Sequence, residues 1–368
     1  MAAGRPDDAE LERLGLYDPS AAGADEQLRL LTRAFELGAT VDEVVGAFRI
    51  AGVGSLGPLM LDLVMRPAGE TCDLDTFAET SGLDPVLVRR LWLALGLPDS
   101  TTVPVPPDAE AALRFMVGMT AVLGDDAVLA LARVVGSSFA RVAEAVSSAF
   151  RIGVEVPGLA TGIPYSEMAD TAASAVREWV PLFLDALGAV FRRHLVLVSY
   201  QLWSPDEEGA AVTLDRTVGF ADLVGSTEVL RRLSVKELAE MVRRFEEQVW
   251  DLVTRAGGRV VKLIGDEAMF VVEDVARACD VGLAFVEASP HPVRVGLACG
   301  PVVGLYGDYY GETVNLAARL VRAATPSTLV VSESVRERGG NEFVFESLGP
   351  LVLKGFAAPA PAFAVRRA

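Results

Sequence analysis

Hydrophobic and polar positions follow two different patterns along the chain. Between about residues 25 and 200, apolar positions recur every three to four residues, which predicts helices joined by short loops. Beyond residue 212, short apolar runs alternate with longer amphipathic stretches, which predicts strands alternating with helices. We therefore expect a helical half followed by a half of mixed strands and helices.

The change of pattern sets the expected domain boundaries. Residues 204–212 read Ser-Pro-Asp-Glu-Glu-Gly-Ala-Ala-Val, which breaks both patterns and is typical of a linker. The start of the chain is polar and acidic, which predicts a loose tail. The expected segments are a flexible acidic tail (1–24), an all-α domain (25–203), the linker (204–212) and an α+β domain (213–368).

Local signals mark helix ends in the first half. Thr40 and Glu43 have the spacing of a capping box. Asp84 followed by Pro85 is typical of an N-cap and the first helical position. The stretch 77–98 as a whole predicts two helices joined by a turn.

The second half gives an ordered series of elements. The predicted order is strand (217–221), helix (235–255), strand (259–264), strand (267–272), helix (274–288), a strand pair (294–299 and 302–306) turning at Gly300-Pro301, helix (313–323), and short strands near 328–332, 343–347 and 361–365. The order strand–helix–strand–strand–helix–strand predicts a ferredoxin-like α+β sandwich with extra strands.

Composition and charge narrow the possible partners. The chain has 368 residues, of which 51% are hydrophobic, and this content argues against global disorder. The net charge is −17, and residues 1–204 carry 15 Arg, no Lys and 27 acids. Neither half has the basic surface that neutralises nucleic-acid phosphates, so we expect no nucleic-acid partner. In the helical pair at 77–98 the only cations are Arg89 and Arg90, which favours a structural role over DNA binding.

Cysteine usage and targeting signals indicate a cytoplasmic protein. Cys72, Cys279 and Cys299 have no paired spacing, which predicts reduced thiols. Met1–Glu10 is polar and unlike a signal peptide. The chain lacks an uncharged apolar run of about 18 residues, and the nearest candidate, 179–203, is interrupted by charges and a proline. We therefore expect no membrane span.

Two aspartates follow predicted strands in the second half. Asp222 ends the first strand, and Asp266 lies at the turn between the next two. Neighbouring strands are about 4.8 Å apart, so both carboxylates can face one pocket. Hard oxygen ligands suit Mg²⁺ or Mn²⁺, and two such ions about 3.5–4 Å apart assist phosphoryl chemistry. Taken singly, Asp222 also fits a helix N-cap and Asp266 a turn residue.

Three stretches carry groups that suit a purine nucleotide. Lys262 lies in the middle of a strand and could donate to a ring nitrogen of adenine, although a lysine is also ordinary on an edge strand. Asp308 could accept from the exocyclic amine of adenine, where guanine has a carbonyl. Gly225, Ser226 and Thr227 open the helix after the first strand, and amides at a helix start favour phosphate, although glycine occurs in many such loops.

A third group of candidates lies towards the C-terminus. Asn315 and Arg319 stand four residues apart on one face of a predicted helix, and an arginine fork fits a phosphate. An exposed polar stripe is the alternative interpretation. Lys354, in Leu353-Lys354-Gly355, could cover the β and γ phosphates or be a solvated turn residue.

With these motifs and spacings, residues 213–366 resemble the catalytic domain of class III adenylyl cyclases, a group of phosphorus-oxygen lyases. The resemblance implies that the two aspartates and the backbone carbonyl of Leu223 bind metal ions. It implies that the lysine–aspartate pair selects adenine and that the asparagine–arginine pair stabilises the transition state. Guanylyl cyclases of the same class carry Glu and often Cys at the selecting positions, so Lys262 and Asp308 favour ATP.

The resemblance also implies an assembly and a reaction. Class III catalytic domains form head-to-tail dimers, with the metal-binding aspartates from one subunit and the other two pairs from its partner. A homodimer of this chain would then contain two complete sites. The implied reaction is in-line attack of the ribose 3′-hydroxyl on the α-phosphorus of ATP, assisted by two Mg²⁺ or Mn²⁺ ions, giving 3′,5′-cyclic AMP and pyrophosphate.

The helical half is similar in organisation to the regulatory domains of soluble actinobacterial cyclases. His194 lies beside Arg192 and Arg193 in the last predicted helix before the linker, and histidine titrates near physiological pH, so protons are a candidate effector. Helical bundles also host pockets between helices, and the resemblance suggests a fatty-acid-like effector with an arginine for its carboxylate.

Other functions remain open from the sequence. One is a cyclase with relaxed purine choice, and another is a catalytically silent module that binds nucleotide and relays dimerisation. A diguanylate cyclase would need a Gly-Gly-acid-Glu-Phe loop, but Gly265-Asp-Glu-Ala-Met-Phe270 stands at that place.

Overall fold

The computed structural model describes residues 5–66, 72–98, 105–106, 109–202, 212–224 and 234–368. The chain divides into two compact units, Met1–Trp203 and Ser204–Ala368. The predicted linker at 204–212 lies outside the described residues except for Val212, which begins a strand.

The first unit is built from helices. In the described residues these are α1 (Asp8–Arg13), α2 (Ala24–Glu36), α3 (Val41–Ala51), α4 (Leu56–Met65), α5 (Leu74–Ser81), α6 (Pro85–Ala94), α7 (Ala109–Leu123), α8 (Asp125–Phe150), α9 (Val156–Ala160) and α10 (Tyr165–Leu202). A 3₁₀ turn joins α3 to α4, a π turn joins α8 to α9, and Cys72 forms an isolated β-bridge with Val105.

Two separate hydrophobic cores hold these helices. The helices α5 to α8 share one core, which includes Phe77 and Trp92. The helices α1 to α4 and the start of α10 share the other, which includes Leu30 and Met60. The predicted helix starts are confirmed, because Thr40 and Glu43 form a complete capping box and the Asp84 side chain accepts from the Val86 N–H.

The prediction of a flexible tail over residues 1–24 is wrong for the part that the structure describes. Residues 8–13 form α1, which is capped by Asp7. Leu11 and Leu16 are 0% and 2% exposed and pack into the core of α2 to α4. Two leucines in a polar stretch are too few to give a periodic signal, yet their burial is sufficient to anchor the segment.

One stretch of the described residues, Val41–Met65, has the length and apolar composition of a membrane-crossing helix. It comprises α3, the 3₁₀ turn and α4, and its Val44, Leu56 and Met60 are buried in the core just described. Core helices of globular proteins have the same composition.

The second unit contains an eight-stranded sheet in its described residues. The strands are β1 (Val212–Leu223), β2 (Arg259–Ile264), β3 (Glu267–Val272), β4 (Val293–Leu305), β5 (Asp308–Tyr310), β6 (Thr328–Ser332), β7 (Phe343–Leu351) and β8 (Ala360–Arg367). The helices are α11 (Val235–Arg255), α12 (Val275–Ala288), α13 (Glu312–Ala323) and α14 (Glu333–Arg338). The strand order is β2-β3-β1-β4-β6-β8-β7, and β5 pairs with β4.

Helices cover both faces of this sheet. Side chains alternate between the two faces along each strand. Ala221 and Leu223 of β1 pack with α11 and α12 on one face. Val218 and Phe220 pack with α13 on the other face. Asp222 follows the same alternation and therefore belongs to the α13 face.

The predicted turn at Gly300-Pro301 is wrong. Residues 293–305 form one continuous strand, because β1 begins five residues earlier than predicted and its first half pairs with β4 beyond Gly300. The chain turns instead at Tyr306 and Gly307, whose φ angles of 49° and 84° suit a tight hairpin into β5.

Candidate active site

The two candidate metal-binding aspartates lie at the same edge of the sheet. Asp222 is the penultimate residue of β1, and its cross-strand neighbours are Glu267 on β3 and Arg294 on β4. The Leu223 N–H donates to the carbonyl oxygen of Asp266 at 3.1 Å, which holds the β2–β3 turn against the end of β1.

Arg294 is a residue of this edge that the sequence analysis missed. Its guanidinium forms an ion pair with the Asp222 carboxylate, and the two side chains are 28% and 13% exposed. Among the residues that the structure describes, its buried Nε has no hydrogen-bond partner. The available signal was a charged residue between two buried valines, Val293 and Val295, in an otherwise apolar strand.

Asp222, Asp266 and Glu267 meet at this edge with Arg294 and Arg322. Burial raises the pKa of Glu267 above its usual range, and the charges of Asp222 and Asp266 raise it further, against the opposing effects of Arg322 and Arg294. Among the described residues, no three His, Cys, Asp or Glu side chains form a ready cluster for a metal ion. A cation held by Asp222 and Asp266 would need its remaining oxygen ligands from the backbone, water or a bound phosphate.

The structure brings Lys262 and Asp308 into direct contact. Lys262 Nζ donates to Asp308 Oδ2 at 2.5 Å, and the side chains are 37% and 28% exposed. The other carboxylate oxygen of Asp308 accepts from the Tyr309 N–H at 2.8 Å. A lysine and a carboxylate at this spacing can present one donor and one acceptor to a heterocycle.

The strand that carries Lys262 departs from simple alternation. A bulge between Val260 and Lys262 interrupts the register with β3. Val260 and Leu263 therefore pack on the α11 face, whereas Val261 packs on the α13 face. Strict alternation would put Val261 and Leu263 on one face, and the bulge separates them.

Asn315 and Arg319 lie on α13, which begins after Gly311. Asn315 is exposed and Arg319 is half-buried. The Arg319 Nε donates to the carbonyl oxygen of Lys354 at 3.0 Å, so the turn at 354–355 restrains the guanidinium. The side chain of Lys354 itself is exposed.

Several predicted residues are not tested by these contacts. Gly225, Ser226 and Thr227 lie outside the described residues. Arg192, Arg193 and His194 lie on α10 with exposed side chains.

Comparison with known proteins identifies what this arrangement resembles. Residues 212–364 match the sequence profile of the adenylate and guanylate cyclase catalytic domain. An uncharacterised protein of Mycobacterium tuberculosis is 36% identical over 365 residues, which cover 96% of this chain and 92% of that protein. An adenylate cyclase of Streptomyces coelicolor is 33% identical over 270 residues, covering 71% of this chain and 69% of the relative. A pH-sensitive adenylate cyclase of M. tuberculosis is 29% identical over 383 residues, covering 98% of this chain and 93% of the relative.

Proposed function

This chain belongs to the class III adenylyl cyclase family, and from that premise we propose that it converts ATP into 3′,5′-cyclic AMP and pyrophosphate at sites shared between two copies of the chain. The observation that carries this proposal is the pairing of Lys262 with Asp308, on the same domain as two aspartates at one sheet edge. The adenylate cyclases among the relatives support the choice of ATP.

Asp222, Asp266 and the backbone carbonyl of Leu223 would hold two divalent cations, Mg²⁺ or Mn²⁺. The donor set supports this assignment, because hard oxygen ligands suit these ions. When bound, such ions lower the pKa of the attacking hydroxyl and neutralise the leaving pyrophosphate. Arg294 orients the Asp222 carboxylate and adds positive charge where a triphosphate would lie.

Adenine selection is assigned to the Lys262–Asp308 pair. Lys262 would donate to a ring nitrogen, and Asp308 would accept from the exocyclic amine. Guanine would place a carbonyl oxygen against the carboxylate and leave both acceptors without a proton between them. A comparison of ATP and GTP turnover decides between this reading and relaxed purine choice.

Asn315 and Arg319 are assigned to the reacting phosphate. Charge builds on the α-phosphoryl oxygens during in-line displacement, and a guanidinium placed beforehand stabilises that charge. The hydrogen bond from Arg319 to the Lys354 carbonyl supports such placement, and the Lys354 side chain would reach the β and γ phosphates. Gly225, Ser226 and Thr227 would supply further phosphate contacts.

The shared-site assembly has a direct test in mixed subunits. Asp222→Ala and Asn315→Ala should each be nearly inactive as homodimers. Allowed to exchange subunits in equal amounts, they should regain about a quarter of the wild-type activity, because half of the dimers are mixed and each mixed dimer has one intact site. The measurement is cyclic AMP production after co-expression or subunit exchange.

A matched control uses two residues that share a role. Asp222→Ala mixed with Asp266→Ala should regain nothing, because both changes affect the metal-binding half of a site and every site then contains one of them. Equal recovery in both mixtures, or none in either, would contradict the shared site.

We also infer that the helical unit regulates the catalytic domain and that the protein is cytoplasmic. The domain plan proposed is an all-α regulatory domain that includes α1 and extends to residue 203, a linker (204–211) and a ferredoxin-like catalytic domain that begins with β1 at Val212, supported by the order β2-β3-β1-β4 in the sheet. A fatty-acid-like effector remains a candidate, and native mass spectrometry of the purified protein would reveal or exclude a bound lipid.

Protons are the second candidate effector. Two observations support this candidate. One relative is a pH-sensitive adenylate cyclase, and His194 is exposed on α10, next to Arg193 and ahead of the linker. His194→Ala should shift the pH–activity curve of the full chain, since no other histidine lies in the first unit. An unmoved curve would remove His194 from the proposal.

A further inference from the structure

The acceptor of the purine-selecting pair is carried by a very short hairpin. Asp308 begins β5, which has three residues and, within the described residues, pairs with residues 303–305 of β4 alone. The preceding turn is made by Tyr306 and Gly307 in left-handed conformations. A strand of three residues has few contacts of its own, so the position of the Asp308 carboxylate depends on what else holds the hairpin.

Arg259, the first residue of β2, contacts this hairpin on both sides of Asp308. Its Nη2 donates to the carbonyl oxygen of Gly307 at 3.0 Å. Its guanidinium carbon lies 4.9 Å from the centre of the Tyr309 ring, and Tyr309 is only 8% exposed. Residues 307 and 309 are therefore both fixed by one guanidinium, with Asp308 between them.

We propose that Arg259 is a positioning residue for purine selection, acting through Gly307 and Tyr309 on the carboxylate of Asp308. This inference rests on the proposed role of Lys262 and Asp308 in reading adenine. Discrimination between an amine and a carbonyl requires the acceptor to be held to a fraction of an ångström, since a displaced carboxylate loses the amine without gaining a new partner.

The chemistry of arginine fits this task better than that of lysine. A planar guanidinium can donate from its edge while its face lies over an aromatic ring, whereas an ammonium is a point donor. In the part of the chain that the structure describes, the buried Nε of Arg259 has no hydrogen-bond partner, and its two contacts to the hairpin are those to Gly307 and Tyr309. Arg259 and Lys262 both project from β2, and together they hold the hairpin from one strand.

The test uses the full chain and separates binding from turnover. Arg259→Gln should lower the preference for ATP over GTP, in kcat/KM, by about tenfold, mainly through a higher KM for ATP. Arg259→Lys should lower it by about threefold, because one donor remains. The analogues 3′-deoxy-ATP and 3′-deoxy-GTP lack the attacking hydroxyl and report on binding alone. In each variant, the ratio of their dissociation constants should change by the same factor as the preference in kcat/KM.

Two controls accompany these variants. Tyr309→Leu should reproduce the loss of preference, whereas Tyr309→Phe should keep the wild-type preference because the ring is retained. Arg255→Gln is the matched surface control, since Arg255 is an exposed arginine that contacts Asp251 on its own helix. Arg255→Gln should leave kcat/KM unchanged for both ATP and GTP.

The outcomes distinguish this proposal from the function on which it rests. Equal losses of kcat for ATP and GTP in Arg259→Gln, together with a lower melting temperature, would indicate a structural role only and overturn the proposal. Lys262→Ala and Asp308→Ala are measured in the same assay. If Lys262→Ala and Asp308→Ala alter the preference for ATP over GTP and Arg259→Gln does not, Arg259 does not position Asp308. If Lys262→Ala and Asp308→Ala leave that preference unchanged, the pair does not select adenine, and the proposal for Arg259 fails as well.

Discussion

At the scale of single residues, burial decides which thiols can react. Cys279 lies on α12 in the core of the α11 face and is 0% exposed. Burial, followed by the nearby charge of Asp280, raises the pKa of the Cys279 thiol to about 12. Because the raised pKa favours the protonated thiol, its contribution to stability is present below the ordinary thiol pKa and is lost as pH rises towards 12.

We expect Cys279 to resist alkylation in the folded protein. With iodoacetamide at pH 8, Cys72, which is half-buried, should be modified well before Cys279, because only a thiolate attacks. Peptide mass spectrometry at successive times gives the two rates, and the urea-unfolded chain is the control in which both should react alike. Equal rates in the folded protein would contradict the buried, protonated thiol.

Single residues also show where sequence reasoning stopped short. Asp222, Lys262 and Asp308 could be selected from the sequence because they fall in short motifs that resemble those of class III adenylyl cyclases. Arg294 and Arg259 could not be assigned a role, because their partners are 72 and 48 residues away in the sequence. Pairing of strands alone brings those groups together.

At the scale of elements, the approach of α13 to β4 sets the position of Asn315 and Arg319. Gly296 on β4 is the point of closest approach, since a Cβ there would lie 2.3 Å from the Val321 nitrogen and 2.7 Å from the Ala317 oxygen. Both are backbone atoms of α13 and cannot turn away as a side chain would. The helix that carries the proposed transition-state pair can therefore pack here only against glycine.

Gly296→Ala should displace α13 from the sheet. We expect a destabilisation of about 1–3 kcal/mol, as for other overpacked cores, and a loss of cyclase activity larger than the fraction unfolded explains. Gly304→Ala on the same strand is the matched control, because its nearest neighbour would be a side-chain atom at an ordinary 3.6 Å. Thermal unfolding and cyclic AMP production are measured for both, and equal behaviour of the two variants would contradict the close approach.

Elements also differed in how well they could be predicted. The helix α11 and the strands β2, β3 and β6 have the predicted bounds, since caps and turn residues close each of them locally. The strand β4 does not, because pairing with the long β1 carries it through Gly300 and Pro301. Pairing between distant strands outweighed the local turn preference of those two residues.

At the scale of the whole molecule, each unit has hydrophobic cores of its own. We expect residues 205–368 to fold alone and to produce cyclic AMP with a pH dependence different from that of the full chain. A regulatory coupling of ordinary size predicts a difference of at least about fivefold somewhere between pH 5.5 and 8.

The comparison is made at equal catalytic-domain concentration with Mn²⁺ and, separately, with Mg²⁺. Circular dichroism of the fragment is the control for folding. Superimposable activity profiles from the folded fragment and the full chain would show that the helical unit does not regulate the enzyme.

The sequence by itself determined the helical first half, the mixed second half and the residue types that place the chain among adenylyl cyclases. These features are local, since periodicity, caps and short motifs act within a few residues. Only the tertiary structure decided that Leu11 and Leu16 are buried against α2 to α4, that Lys262 contacts Asp308, that Arg259 contacts Gly307 and that Arg294 pairs with Asp222. Those contacts depend on burial and strand pairing between distant segments, which local patterns do not encode.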